Sequence, residues 1–141
     1  MIILDTNVIS ELARIDPEPN VVTWLDSLPA TEIATTAITA AELLYGVARM
    51  PDGRRRAALA GIIDALINED FRDRVPPFDS QAANQYATVV VGREKLGRPV
   101  SVADAQIAAI CRAHGATLAT RNTGDFTDTG ISLINPWDAT G

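Results

Sequence analysis

Met1-Ile2-Ile3-Leu4-Asp5-Thr6-Asn7 opens the chain with four apolar residues that run directly into an acid, a hydroxyl and an amide. A continuous apolar run with two β-branched isoleucines reads as a strand buried on both faces, as in parallel sheets. Asp5 then falls at the carboxyl end of that strand, the edge where open α/β sheets bind ligands. Residues 8–13 continue as a short helix, with Thr6 or Asn7 as its N-cap. Two readings of Asp5 follow. It is a turn residue that satisfies free backbone N–H groups, or it is a metal ligand at the mouth of a crevice. The other acids of the chain decide between them.

The remaining sequence alternates in the same way. Val21, Trp24, Leu25 and Leu28 recur at helical spacing after Asn20, which reads as the N-cap of a second helix that Pro29 ends. Residues 32–36 read as a second strand. A third helix covers about residues 39–50, with Leu43, Leu44 and Val47 as its apolar stripe and Glu42 in its first turn. Pro51-Asp52-Gly53 breaks the chain, and Arg54-Arg55-Arg56 then opens a fourth helix. That helix carries Leu59, Ile62, Ile63, Leu66 and Ile67 on an amphipathic pattern. Helices three and four therefore form an α-hairpin with three arginines at its tip.

Arg74-Val75-Pro76-Pro77-Phe78 is extended and suits an edge strand. Asp79 or Ser80 caps a fifth helix that reaches about Lys95. Ser101 and Asp104 have capping-box spacing at the start of a sixth helix, which ends at His114-Gly115. Cys111 lies within it as a small core residue. Residues 116–120 and 132–135 supply further strands, and Trp137 packs back on the sheet. Strands separated by amphipathic helices imply βαβ crossovers. The expected fold is one α/β domain over residues 1–141, a three-layer α/β/α sandwich with a parallel sheet and an α-hairpin inserted after the second strand.

A chain of 141 residues with 47% hydrophobic and 21% charged content suits one ordered domain with one core. It has no apolar run of membrane-spanning length and no basic leader at its start. The single cysteine rules out an internal disulfide, and together these features read as a cytoplasmic protein. A net charge of −6 argues against indiscriminate nucleic-acid binding. Yet Lys95 is the only lysine among twelve cations, and the arginine fork suits phosphate recognition.

In a parallel sheet, Asp5 and the turn Thr120-Arg121-Asn122-Thr123-Gly124-Asp125 lie at the same edge. Helices that follow strands begin at that edge as well, which brings Glu42 and Asp104 to the same crevice. Two carboxylates about 4 Å apart repel by roughly 4 kcal/mol at an effective dielectric of 20, so such a cluster takes up protons or a cation. Oxygen-only ligands select Mg²⁺ or Mn²⁺. One cysteine and one histidine do not build the usual zinc site. A carboxylate-held divalent ion suits phosphodiester hydrolysis. Asn7, Thr120 and Asn122 are candidates to support the acids, and Arg121 is a candidate phosphate contact.

The stretches Ile3-Leu4-Asp5-Thr6-Asn7, Ala41-Glu42-Leu43, Ala103-Asp104-Ala105 and Thr120-Arg121-Asn122-Thr123-Gly124-Asp125-Phe126 together resemble a PIN domain, and most of all the VapC/FitB toxins of type II toxin–antitoxin pairs. The resemblance covers about residues 1–137. It implies a five-stranded parallel sheet of order 3-2-1-4-5 and an Mg²⁺- or Mn²⁺-dependent endoribonuclease. It further implies a homodimer, held inactive by an antitoxin that binds operator DNA and covers the active-site groove. Asp5 and Asp104 match the family's principal metal ligands, Glu42 its third catalytic acid and Asp125 a fourth, less constant one. Arginines 49, 54, 55, 56, 93, 98 and 121 are candidate contacts for RNA or for the antitoxin groove.

Two other readings share these residues. A PIN-fold module without turnover, serving binding or regulation, would carry the same acidic pocket. A Mg²⁺-dependent phosphatase of the haloacid dehalogenase kind also places an aspartate after its first strand. That chemistry needs a second acid two residues later, where this chain has Asn7.

Overall fold

Strand β1 (Ile2–Leu4) is paired on both edges, with β2 (Ile33–Thr35) on one side and β3 (Thr117–Ala119) on the other, all parallel. Strand β4 (Ser132–Ile134) pairs parallel with β3, giving the order β2-β1-β3-β4. These elements come from a computed structural model that describes residues 1–138; the last three residues of the expected 1–141 domain lie outside the described residues. The register sets Ile3 level with Ala34 and Leu118, and Leu118 level with Leu133. All four side chains join the core on one face of the sheet. One residue later, Leu4 and Ala119 are level with each other and join the core on the opposite face. Successive strand side chains alternate between faces, so a strand with a core on each side needs an unbroken apolar run.

Helices fill both outer layers, as expected. On the Leu4 face lie α1 (Thr6–Leu12), α2 (Pro19–Asp26), α3 (Ala37–Ala48) and α4 (Arg54–Ala65), which contribute Val8, Ile9, Val21, Leu43, Val47 and Ile63 to the core. On the Ile3 face, α5 (Ser80–Lys95) and α6 (Val102–His114) contribute Ala82, Val89, Ala105, Ile107 and Ile110. The α3–α4 pair is the expected hairpin inserted after the second strand. Helix α4 runs on into a single π-helical turn, Leu66–Asp70. Ile62, expected on the buried stripe of α4, stays exposed, whereas Ile63 is buried.

The expectation of five strands in the order 3-2-1-4-5 is corrected to four among the described residues. The missing strand is the segment at residues 74–78. It lies beyond β2, where Thr35 N donates to the Arg74 carbonyl at 3.2 Å and Ala37 N to the Pro76 carbonyl at 3.0 Å. Pro76 and Pro77 have no N–H to return, so the segment accepts bonds without forming a ladder.

Three helix starts also differ from expectation. The N-cap of α1 is Asp5 itself, whose Oδ1 accepts from Thr6 N at 2.8 Å. Asn20 does not cap α2, which begins at Pro19; its Nδ2 donates instead to the Trp137 carbonyl at 3.0 Å and ties the C-terminal segment back to the domain. Helix α3 starts earlier than the apolar pattern suggested, capped by Thr36, whose Oγ1 accepts from Thr39 N at 3.0 Å. Glu42 therefore stands in the second turn, beyond the helix-end N–H groups that attract acids. Asp79 rather than Ser80 caps α5, and Ser101 caps α6 by accepting from Asp104 N at 3.2 Å. Gly115 closes α6 in the left-handed region at φ +60°, the conformation that favours glycine.

After β3 the chain makes a 3₁₀ turn, Thr123–Phe126. Phe126 is 1% exposed and pins this turn to the core of the Ile3 face. Replacing Phe126 with Ala is expected to cost about 3–5 kcal/mol of folding stability, read from urea unfolding curves.

Candidate functional site

The carboxyl edge of the sheet gathers the polar residues that the apolar strands exclude. Asp5 is only 6% exposed, and its carboxylate accepts three hydrogen bonds. Thr6 N donates to Oδ1 at 2.8 Å, while the Thr120 hydroxyl and Asn7 Nδ2 donate to Oδ2 at 2.8 and 3.3 Å. The donors come from both sides of the β1–β3 pair, because Thr120 directly follows β3. The Thr120 Oγ1 is a junction: it donates to Asp5 and accepts from Asn7 Nδ2 at 3.2 Å and from Asn122 N at 3.1 Å. Asn7 completes the link by accepting Arg121 N on Oδ1 at 3.1 Å. Asn7 occupies the position where a phosphatase would carry its second acid, and its amide is fully engaged in holding Asp5 and its neighbours.

The other acids are placed from three further elements. Glu42 projects from α3, and its Oε1 accepts the Thr6 hydroxyl at 3.1 Å, so Thr6 holds both Asp5 and Glu42. Asp104 stands in the first turn of α6, half-buried behind its Ser101 cap. Asp125 sits on the 3₁₀ turn, its N–H donating to the Asn122 carbonyl at 3.0 Å. Asn122 supports the site through its backbone rather than its amide side chain.

The electrostatics join these acids into one array. Burial pushes the Asp5 carboxyl above its ordinary value of 3.8, against the pull of the Thr120, Thr6 and Asn7 hydrogen bonds, and Asp125 raises it further. Partial burial raises Glu42, opposed by the Thr6 hydroxyl and reinforced by Asp5 and Asp104. Burial raises Asp104 in the same way; Ser101 and Arg93 draw it down, while Asp5 and Asp125 push it up. Asp5 and Asp104 thus both raise Glu42, and Asp125 raises both Asp5 and Asp104. Among the described residues, no three Asp, Glu, His or Cys side chains close on one point as a ready metal cage. The acids share an electrostatic field, and mutual repulsion opposes a tighter approach. Cys111 takes no part: it is fully buried, and burial pushes its thiol up to about 12.

Arg93 is the functional residue that sequence reasoning misassigned, having placed it among surface contacts. It is 5% exposed. Its Nε donates to the Arg98 carbonyl at 2.7 Å, and one terminal nitrogen donates to the Asp125 and Thr127 carbonyls at 3.0 and 2.8 Å. Arg98 closes the strap outside, pairing with Asp128 at 3.1 Å and donating to the Thr127 hydroxyl at 3.0 Å. The signal was present in the spacing, since Ala82, Val89 and Arg93 fall on one face of α5. Arg93 is too buried to meet a ligand, and together with the exposed Arg98 it fixes the turn that carries Asp125.

A parallel α/β sheet with four acids converging on its carboxyl edge defines a class, and the PIN domain model matches residues 2–131. The chain belongs to that family. It is 40% identical over 138 residues to a VapC ribonuclease of Sinorhizobium fredii, covering 98% of this chain and 99% of the relative. It is 41% identical over 137 residues to toxin FitB of Neisseria gonorrhoeae, covering 97% and 99%. The structure of FitAB bound to a DNA fragment superposes with a TM-score of 0.93 at 39% identity, covering 100% of this chain and 99% of that one.

Two tests follow from the geometry. Arg93→Met removes the donor from three carbonyls and is expected to cost about 3 kcal/mol, whereas breaking the exposed Arg98–Asp128 pair with Asp128→Asn costs less than about 1 kcal/mol; urea unfolding compares the two. For the acids the sign is set by their raised values. Carboxyls whose folded pKa lies above the ordinary 3.8 and 4.5 contribute stability that is complete below those values and is lost as pH rises through the raised ones. In chelator at neutral pH, Asp104→Asn is therefore expected to melt higher than the native chain, with the difference closing as pH falls toward 3.8.

Proposed function

We propose that this chain is the toxin of a toxin–antitoxin pair and acts as a divalent-metal-dependent endoribonuclease. The observation that carries this reading is the buried Asp5 carboxylate, held by three donors at the centre of four acids. Its relatives include a VapC ribonuclease and the toxin FitB at about 40% identity over nearly the full chain.

The donor set fits a hard divalent cation. Every central side chain presents oxygen, and an ionised carboxylate has about four lone-pair sites, of which the hydrogen bonds to Asp5 fill three. Mg²⁺ is commonly held by one or two carboxylates, with waters and substrate phosphate completing its shell. Asp5 and Asp104 would be those carboxylates for Mg²⁺ or Mn²⁺, without any need for a closed cage. When bound, the ion supplies charge that offsets the acids and stabilises negative charge on phosphate oxygens.

The chain's own residues do the rest. Thr120 and Asn7 orient Asp5 and oppose the rise that burial imposes on it. Glu42, steadied by the Thr6 hydroxyl and raised in pKa, is suited to take the proton of the attacking water. Asp125 holds the far side of the array, and Arg121 receives phosphate. The net charge of −6 does not bar RNA binding, because a cation among the acids lowers the repulsion locally, where the phosphate must approach.

A groove of about 920 Å³ runs from the site between α1, α3 and α4. It shares Thr6 and Glu42 with the site and is lined further by Ile15, Leu59 and Ile62. An apolar groove opening on the acids is the surface an antitoxin segment would cover, and the likeness to FitAB on DNA supports that partner. The homodimer belongs to the same proposal. No helix among the described residues is long and apolar enough to cross a membrane.

Purified protein is expected to cut RNA in Mg²⁺ or Mn²⁺ and to stop in chelator. Asp5→Asn or Asp104→Asn abolishes cleavage, and Thr120→Val lowers it about 10–100-fold by loosening Asp5. Folded native chain that takes up no divalent ion by calorimetry and cuts no RNA in either metal overturns this reading.

A further inference from the structure

The arginines of this chain divide into those already engaged and those with their donors open. Arg93 and Arg98 strap the Asp125 turn. Arg14 pairs with Glu11, and Arg56 with Asp52. Arg74 donates to the carbonyls of Ile33 and Asp70, and Arg112 to Gln85 and the Thr129 carbonyl. Arg49, Arg54, Arg55 and Arg72 have open donors among the described residues too, and Arg49 lies over the Tyr45 ring at 5.6 Å. Of the open arginines it is Arg121 that directly follows Thr120 and so adjoins the acids. Among the described residues its guanidinium has no hydrogen-bond or carboxylate partner, and it lies over the Trp137 ring at 5.0 Å from the centroid.

We propose that Arg121 and Trp137 form a preorganised platform that binds a backbone phosphate of the RNA beside the cleaved bond, with Trp137 as the residue that positions the arginine. This rests on the ribonuclease reading above. A guanidinium stacked on an aromatic ring uses its face, and its N–H donors remain in the plane and point outward along the edge. That is the orientation a phosphate needs for a two-pronged contact.

Both halves of the platform are held in place. Arg121 directly follows Thr120, the hydroxyl donor to Asp5, and its own N–H is bonded to Asn7 Oδ1 at 3.1 Å. The arginine backbone is thus one residue from the junction that holds the central acid. Trp137 is anchored by its N–H on Asn135 Oδ1 at 3.0 Å and by its carbonyl, which accepts Asn20 Nδ2 at 3.0 Å. Its ring packs against the core of the Leu4 face. A cation whose backbone is fixed and whose head lies over an anchored ring loses less freedom on binding than a free side chain. It also sets a positive charge at the rim of an acidic site, where an approaching polyanion meets repulsion.

The test measures binding of a short fluorescein-labelled single-stranded RNA of mixed sequence by anisotropy, across a salt series. The full chain carries Asp5→Asn to prevent cleavage, and the native chain in chelator serves as a second background. Removing one phosphate contact with Arg121→Ala is expected to reduce the slope of log affinity against log salt by about 0.7. Trp137→Leu keeps the charge, so the slope stays while affinity falls about two- to fivefold. Trp137→Phe restores most of that loss, which distinguishes ring stacking from general destabilisation; melting curves check that each variant is folded.

If the parent binds RNA and the native chain cuts it, yet Arg121→Ala leaves both slope and affinity unchanged, the platform is wrong and the ribonuclease reading stands. Trp137→Leu binding as tightly as its parent overturns the positioning role. If the native chain neither binds nor cuts RNA in Mg²⁺ or Mn²⁺, both readings fall together.

Discussion

A carboxylate with 6% exposure cannot stay ionised without donors, and the three that serve Asp5 explain much of the local architecture. One is the first N–H of α1, so the acid is also the helix cap. One is the amide of Asn7, in the same turn. The third, the Thr120 hydroxyl, comes from 115 residues away and is delivered only when β3 lies parallel beside β1. The backbone repeats this link, since Asp5 N donates to the Ala119 carbonyl at 2.9 Å. The central strand pair and the central acid therefore require each other. Strand pairing places the donor, and the donor makes burial of the acid tolerable.

From that junction the rest of the site follows by short steps. Thr6 passes from Asp5 to Glu42 through its hydroxyl. The Thr120 oxygen takes the N–H of Asn122, whose carbonyl takes that of Asp125. Repulsion among the acids is opposed by packing and by a buried arginine on the far side: Phe126 and Arg93 grip the Asp125 turn from within the core. Arg93 meets carbonyl oxygens rather than carboxylates, so its charge stays available to draw Asp104 down. Such an arrangement is costly in a metal-free chain, and the divalent ion of the proposed chemistry would relieve it.

The strands flanking the acids were legible because apolar runs buried on both faces leave a pattern that survives in sequence, whereas their order around β1 came from the resemblance to PIN domains. The gathering of Asp5 and Asp104 at the carboxyl edge was legible because one closes a strand and the other opens a helix there. That residues 74–78 stay outside the sheet was not, since the prolines that give the segment its extended shape also deny it a ladder. Glu42 was assigned to the wrong turn because Thr36, not the first apolar residue, starts α3. Arg93 was misplaced because charge suggested the surface, while its partners are carbonyls, which composition does not reveal. The pairing of Arg121 with Trp137 depends on the Asn20–Trp137 contact across 117 residues, which no local pattern announces.

The central claim is that Asp5 is a strained anion whose environment anticipates a divalent cation. Carbon-detected NMR of the side-chain carboxyls, titrated with pH in chelator and again in Mg²⁺, reads it directly. The account predicts that Asp5 titrates above the ordinary aspartate value of 3.8 in chelator and falls below it when Mg²⁺ is added, with Asp104 moving in step. An Asp5 carboxyl that titrates at the ordinary value and does not respond to Mg²⁺ would contradict it.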